Sequence, residues 1–163
     1  MPPRCRDYSH RMEKGDLAPD FELPDETGQV RKLSHLLKDG PVVLYFYPAA
    51  MTPGCTKESC HFRDLKSEFE ALGAQRVGIS GDKVDKQKQF SDKYKFDFPL
   101  LSDPDATVAN LYGAHRNFGL APTKRITFVI DTDQKVLEVV KSEVRMGVHG
   151  DRALQVLKER TAS

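Results

Sequence analysis

Two of the chain's three cysteines stand five residues apart in the segment Tyr47 to Cys60, YPAAMTPGCTKESC. A close pair of this kind can staple a fold, hold a metal, or pass electrons through its thiols. Beyond Cys55, the residues Phe62, Leu65, Phe69 and Leu72 recur at helical steps, while Arg63, Lys66, Glu68 and Glu70 fall on other faces. The spacing predicts an amphipathic helix that starts at Pro53 and ends near Gly73. On an ideal helix, positions five apart lie about 8.7 Å from each other at Cα and are turned about 140° around the axis. Disulfides rarely span more than ~6.8 Å. A permanent staple therefore conflicts with the helix, whereas a pair held apart when reduced and joined after local unwinding suits a redox cycle or a switch.

The place of Cys55 favours reactivity. In the first turn of a helix, unpaired backbone N–H groups and the helix dipole stabilise a thiolate, which is the form that attacks. Lowering a thiol pKa from ~8.5 to ~6 takes about 3.4 kcal/mol. An exposed helix end supplies only ~0.3 to 1 kcal/mol, so a nearby cation is expected.

Other chemistries fit less well. A zinc site needs four ligands, and here only His61, next to Cys60, offers a third, with no second pair to follow. A dithiol-disulfide oxidoreductase is a closer rival, because Thr52-Pro53-Gly54-Cys55 has C-x-x-C spacing with threonine in the first slot. Threonine cannot exchange thiols, although its hydroxyl can donate and accept a hydrogen bond beside the Cys55 sulfur. A peroxide-responsive redox sensor, whose disulfide changes a binding surface, is the non-enzymatic alternative. His10, His35, His61, His115 and His149 are scattered and read as surface or packing residues; a Cys/His hydrolase would need one of them beside Cys55. Taken alone, Thr52 could be a helix cap and Arg125 a solvated residue beside Lys124.

The elements that must position Cys55 are legible on both sides of it. Pro24 to Gly28 marks a turn, and Ser34 is expected to cap a short helix. Val42 to Tyr47 is an uninterrupted run of β-formers, the pattern of a central parallel strand covered on both faces. After the cysteine helix come a strand at 76–80, a charged helix from Lys83 to Tyr94, a short FPLL segment and a small helix from Asp105 to Leu111. Gly113 to Pro122 reads as a loop. Ile126 to Ile130 and Lys135 to Val140 predict a hairpin, and a last helix is expected from His149 to Arg160. A βαβ unit joined to a ββα unit gives an α/β fold with one mixed central sheet flanked by helices.

Bulk properties limit the partners. The 163 residues suit one domain over 12–163, with residues 1–11, Cys5 among them, read as a disordered extension. Lys+Arg 25 against Asp+Glu 24 gives a net charge of +1, which argues against nucleic-acid or membrane binding by bulk charge. No apolar run approaches a membrane span or a secretory signal, so the expected location is cytoplasmic, where a close cysteine pair is more often reactive than structural.

The segment Pro48-Ala49-Ala50-Met51-Thr52-Pro53-Gly54-Cys55-Thr56 resembles the P-x-x-x-T-x-x-C signature of the peroxiredoxins, and in particular of the Q-type, or bacterioferritin-comigratory, subgroup. GDLAPDFELPDETG is similar to that family's opening, FPLLSDPD to its middle, and KRITFVIDTD to the strand with its active-site arginine; the likeness spans about residues 12–160. It implies a thioredoxin fold with peroxiredoxin insertions. By the same resemblance, Cys55 would attack the peroxide and become a sulfenic acid, and Cys60 would condense with it as an intramolecular disulfide. Thr52 would orient peroxide and thiolate, Pro48 would shape the pocket and shield the sulfur, and Arg125 would supply the cation. The implied substrates are hydrogen peroxide and organic hydroperoxides, and the implied reductant is thioredoxin or a similar dithiol protein. No metal, haem or flavin is implied, and the chain is expected to be a monomer or at most a weak dimer.

Overall fold

The computed structural model describes residues 12–115 and 123–162. The expected extension at 1–11, with Cys5, and most of the expected loop ending at Pro122 lie outside these residues. The described chain begins with a small hairpin, β1 (Glu22–Pro24) and β2 (Val30–Lys32). Its turn is the one expected at Pro24 to Gly28, where Asp25 Oδ1 accepts the N–H groups of Thr27 at 2.8 Å and Gln29 at 3.1 Å. Helix α1 (Leu33–Leu36) follows at once. Ser34 lies inside this helix rather than capping it, and its N–H is taken by Asp20 Oδ1 at 2.9 Å, from a residue 14 positions earlier. The capping oxygen comes from across the fold, which local spacing does not reveal.

Strand β3 (Val42–Phe46) is buried along its whole length. It leads through a loop into α2 (Pro53–Asp64), then α3 (Lys66–Ala71) and β4 (Gln75–Ser80). The single expected helix over 53–73 is thus broken at Leu65, whose backbone leaves the helical region at φ −91°, ψ 17°. Arg76 accounts for the break. Its guanidinium, buried on β4 and paired with Asp97 at 2.5 Å, donates at 2.8 Å to the carbonyl of Phe62, which a continuous helix would offer to residue 66.

The chain continues through α4 (Val84–Tyr94), β5 (Leu100–Ser102), α5 (Thr107–Leu111), β6 (Ile126–Ile130), β7 (Val136–Lys141) and α6 (Met146–Ala162). Residues from FPLL form β5, an edge strand parallel to β4, which the sequence pattern left unassigned because so short an apolar run carries no period. Helix α6 begins three residues before the expected start. Its Gly150 lets α2 lie close: a Cβ there would sit 3.0 Å from both His61 Cδ2 and Leu65 Cδ1.

The sheet order is β5-β4-β3-β6-β7, with β3 central, parallel to β4 and antiparallel to β6. Because side chains alternate across a strand, β3 feeds two cores. Val42, Leu44 and Phe46 pack with α1 and α5, while Val43 and Tyr45 join Phe62, Phe69, Phe90 and Leu157 from α2, α3, α4 and α6. Cys55 belongs to the second core. Among the described residues no helix is long and apolar enough to cross a membrane.

Candidate active site

Three contacts place α2 and the loop that enters it. Tyr45 stacks on Phe62 with ring centroids 4.4 Å apart, and its hydroxyl donates to Ser59 Oγ at 2.9 Å. That approach needs Gly78 on the neighbouring strand, since a Cβ there would lie 2.8 Å from the Tyr45 hydroxyl. The loop between β3 and α2 is held from the end of β4, where Asp82 Oδ2 accepts the Ala50 N–H at 2.6 Å. Met51 turns this loop through the left-handed region at φ +68°.

Thr52 then has extended backbone and stands at the N-cap of α2, with Pro53 as the first helical residue. Its side chain does not cap the helix. Instead the hydroxyl donates to the Ala49 carbonyl at 2.7 Å, while the Thr52 carbonyl accepts the Thr56 N–H at 2.9 Å. Thr52 is exposed and Pro48, at the start of the loop, is half-buried. Cys55 is the third residue of the helix and has no solvent exposure.

Arg125, just before β6, reaches Cys55 from the other half of the sheet. Nη2 donates to Sγ at 3.4 Å, and Nη1 donates to Glu58 Oε1 at 2.9 Å. Gly54 makes room for this arrangement: a Cβ there would stand 3.1 Å from Arg125 Nη2 and 2.9 Å from Met146 Cε. Arg125 is 5 % exposed, which excludes the reading as a solvated strand-edge residue. Burial works to lower its guanidinium pKa, but the opposing charges of Glu58 and Cys55 outweigh it and hold the group above its ordinary value. It is a permanent cation 3.4 Å from the sulfur, of the kind expected to stabilise a negative charge there.

Glu58 was not legible as a site residue. It sits one helical turn beyond Cys55, and that i, i+3 relation was the only signal available. Desolvation pushes its carboxyl up to about 8, against the pull of the Arg125 charge and hydrogen bond, and with a smaller push from Glu143. Oε2 is buried and has no hydrogen-bond partner among the described residues. His149 Nε2, on α6, stands 3.5 Å from it.

His149, expected to be a surface or packing residue, is wholly buried in this cluster. Nε2 lies 2.8 Å from the Ser142 carbonyl, and Nδ1 lies 2.8 Å from Thr127 Oγ1. A carbonyl only accepts, which assigns the ring proton to Nε2 and makes Nδ1 the acceptor of the Thr127 hydroxyl. Burial lowers the His149 pKa, so its contact with Glu58 is that of a neutral ring and not an ion pair.

Cys60 lies on the same helix, half-buried, and both thiols are free. Partial burial pushes the Cys60 thiol up, with Arg63 pulling it down and Asp64 adding to the rise. The structure therefore brings Cys55 and Arg125 into contact, sets Thr52 and Pro48 in the loop that enters the same turn, and leaves Cys60 further along an intact helix. Among the described residues no three His, Cys, Asp or Glu side chains are placed to hold a metal ion.

Comparison with known proteins gives a consistent set of relatives. Residues 14–139 match the AhpC/TSA family. The chain is 60% identical over 149 residues to a putative peroxiredoxin of Mycobacterium tuberculosis, covering 90% of this chain and 97% of the relative. It is 40% identical over 156 residues to the chloroplastic peroxiredoxin Q of Oryza sativa subsp. japonica, covering 95% and 71%. Among solved structures it is similar to peroxidoxin BcpB from Mycobacterium tuberculosis, with a TM-score of 0.88 and 59% identity over 91% of this chain and 98% of that one. A PrxQ mutant from Xylella fastidiosa superposes with a TM-score of 0.85 at 29% identity, over 94% and 99%.

Proposed function

The chain belongs to the AhpC/TSA family and is a peroxiredoxin of the Q, or bacterioferritin-comigratory, type, and from that premise we propose how its residues divide the work of a thiol peroxidase. Peroxide is the substrate and a thiol the reductant. The finer assignment is that Cys55 attacks the terminal oxygen of hydrogen peroxide or an organic hydroperoxide. The observation that carries it is the Arg125 guanidinium, 3.4 Å from a fully buried Cys55 sulfur in the first turn of α2.

As the O–O bond lengthens, negative charge moves from sulfur to the departing oxygen. Donors fixed around the sulfur then stabilise the transition state more than the bound peroxide. A stabilised thiolate alone would be insufficient, because nucleophilicity falls as thiol basicity falls. Arg125 serves sulfur and peroxide together. Thr52, whose hydroxyl proton goes to Ala49, presents lone pairs able to accept the peroxide O–H, and Pro48 shields the sulfur from water.

The resulting sulfenic acid condenses with the Cys60 thiol, forming the S–S bond and releasing water. In an intact α2 the two residues are about 8.7 Å apart at Cα, beyond the reach of a disulfide. The helix therefore has to unwind between them. Thioredoxin or a similar dithiol protein then returns both sulfurs to thiols. The activity is assigned to residues 12–163 acting as one domain.

Peroxide consumption with a recycling dithiol, and intact mass after one equivalent of peroxide, test this division. Cys55→Ser is expected to abolish turnover. Cys60→Ser is expected to oxidise once at Cys55 and to form no intramolecular disulfide. Full turnover by Cys55→Ser, or an unchanged internal bridge in Cys60→Ser, would overturn it.

A further inference from the structure

Arg125 is one base shared by two acids. Its two terminal nitrogens hold Cys55 at 3.4 Å and Glu58 at 2.9 Å, and neither acid touches solvent. Burying a charge is tolerable when it is paired, and costly when it is not. One guanidinium can neutralise one full negative charge in this interior, on the sulfur or on the carboxylate.

The surrounding groups among the described residues do not alter that count. Glu143, beyond β7, accepts the Arg125 backbone N–H at 3.2 Å and adds negative charge. His149, from α6, is held neutral by burial, and its Nε2 proton is given to Ser142. Tyr45, beneath the helix, has its phenol pushed well above the ordinary range by burial and stays protonated. None of these supplies a second positive charge. Among the described residues Glu58 Oε2 has no hydrogen-bond partner, which leaves a carboxylate there dependent on Arg125 as its counter-ion.

We infer that Glu58 carries a proton while Cys55 is a thiolate and surrenders it when the sulfur becomes neutral, so that the two acids share one proton through the peroxidase cycle. The inference rests on the reading of Cys55 as the attacking thiolate. In the oxidation step the sulfur lone pair forms an S–O bond as the O–O bond breaks, and two electrons pass from sulfur to oxygen. The departing oxygen gains a proton and leaves as water or alcohol, while Glu58 loses one. The new carboxylate replaces the thiolate as the counter-ion of Arg125. Through to the disulfide, thiolate, carboxylic acid, Cys60 thiol and hydroperoxide become disulfide, carboxylate, alcohol and water, with no proton drawn from solution. Glu58 is thus a proton-holding, positioning residue and not a group that touches peroxide.

The test uses the full chain at pH 7. Thiolate absorbance records the resting sulfur, and a pH-indicator dye in weak buffer counts protons taken up per disulfide formed with hydrogen peroxide. The wild type is expected to show a thiolate and no uptake, and Glu58→Gln a thiolate and uptake of one proton. In Cys60→Ser, which stops at the sulfenic acid, the infrared difference spectrum is expected to lose the carbonyl stretch of a protonated carboxylic acid. Should Glu58→Gln fail to fold, the wild-type proton count and this infrared band decide the matter. Uptake of one proton by the wild type, no thiolate at rest, or no loss of the acid band would overturn the inference. Those results leave Cys55 oxidation standing, whereas a Cys55 that peroxide does not oxidise would sink the peroxidase assignment itself.

Discussion

The two cysteines of α2 share a helix but not an environment. Cys55 is sealed from solvent, with a guanidinium on its sulfur and a buried carboxyl and imidazole behind that guanidinium. Cys60, five residues on, is half-buried against apolar side chains; its neighbour Arg63 is half-buried, pairing with the exposed Asp64 at 3.0 Å and donating to the Tyr94 carbonyl at 2.7 Å. In the division of roles proposed above, Cys55 as nucleophile would need a fixed electrostatic surround, and Cys60 as resolving thiol would need freedom to leave its place. The first turn meets the charged group of Arg125 and is entered by a loop tied to Asp82, while the middle rests on Tyr45 and Arg76 through Ser59 and Phe62 and, among the described residues, carries no charge against the Cys60 sulfur comparable to Arg125.

The largest separation between the two regions is expected at Arg125. Arg125→Gln removes the charge and one donor and leaves the thiol in place, so the rate constant for Cys55 oxidation should fall about 10²- to 10³-fold, as for loss of a transition-state donor. Stopped-flow oxidation with hydrogen peroxide measures it, and a change under fivefold would show that the sulfur does not depend on its cation.

Stability is expected to respond next, and only at the sealed end. The Glu58 carboxyl, pushed up to about 8 in the folded protein, returns near ~4.3 on unfolding. Its contribution is fully present below pH ~4.3 and is lost as pH rises through about 8, on the order of a few kcal/mol. His149, lowered by burial, acts in the opposite sense and is lost as pH falls. Comparing Glu58→Gln with the wild type isolates the first effect, and denaturant unfolding of the reduced proteins from pH 5 to 8.5 should show a flatter profile for the variant. Parallel profiles would contradict a protonated Glu58.

A smaller effect is expected where the closeness of α2 to its neighbours is tuned by glycine. Gly54→Ala would press on Met146 Cε, a flexible end that can yield, and on Arg125 Nη2, which Cys55 and Glu58 hold and which would shift by a few tenths of an ångström. Cys55 oxidation should slow by roughly tenfold, since small displacements of a reacting geometry have large effects on rate, with little change in unfolding.

The mildest change is expected in the middle of the helix. His61 on α2 meets Asp151 on α6 at 2.8 Å, with side chains 33% and 67% exposed. An exposed pair of this kind contributes ~0.2 to 1 kcal/mol. Asp151→Asn should therefore speed the Cys55–Cys60 condensation by up to about fivefold, by easing local unwinding, and leave Cys55 oxidation unchanged. Equal effects on both steps would erase the distinction between the two ends.

Much of the scaffold could be read from local pattern. The continuous apolar run at Val42 to Phe46, the helix opening at Pro53 and the hairpin at Ile126 to Lys141 each carry a period or a turn within a dozen residues. What escaped were features set by distant partners. Asp20 rather than Ser34 supplies the oxygen at the start of α1, Arg76 interrupts the cysteine helix, and β5 exists because β4 lies beside it.

The same division runs through the site. From residue types and spacing alone came the expectation of a reactive cysteine in a first helical turn, a second cysteine out of bonding reach on the same helix, and the need for a cation. The family resemblance pointed to Arg125 as that cation; what stands behind it, Glu58 and His149, was decided by the tertiary structure. Arg125 is 70 residues from Cys55 and 67 from Glu58, and His149 arrives from yet another helix. Helical and strand periods record which face a residue takes. They do not record which buried polar groups meet, and the ionisation of Glu58 depends on that meeting and on the exclusion of water that only the assembled core provides.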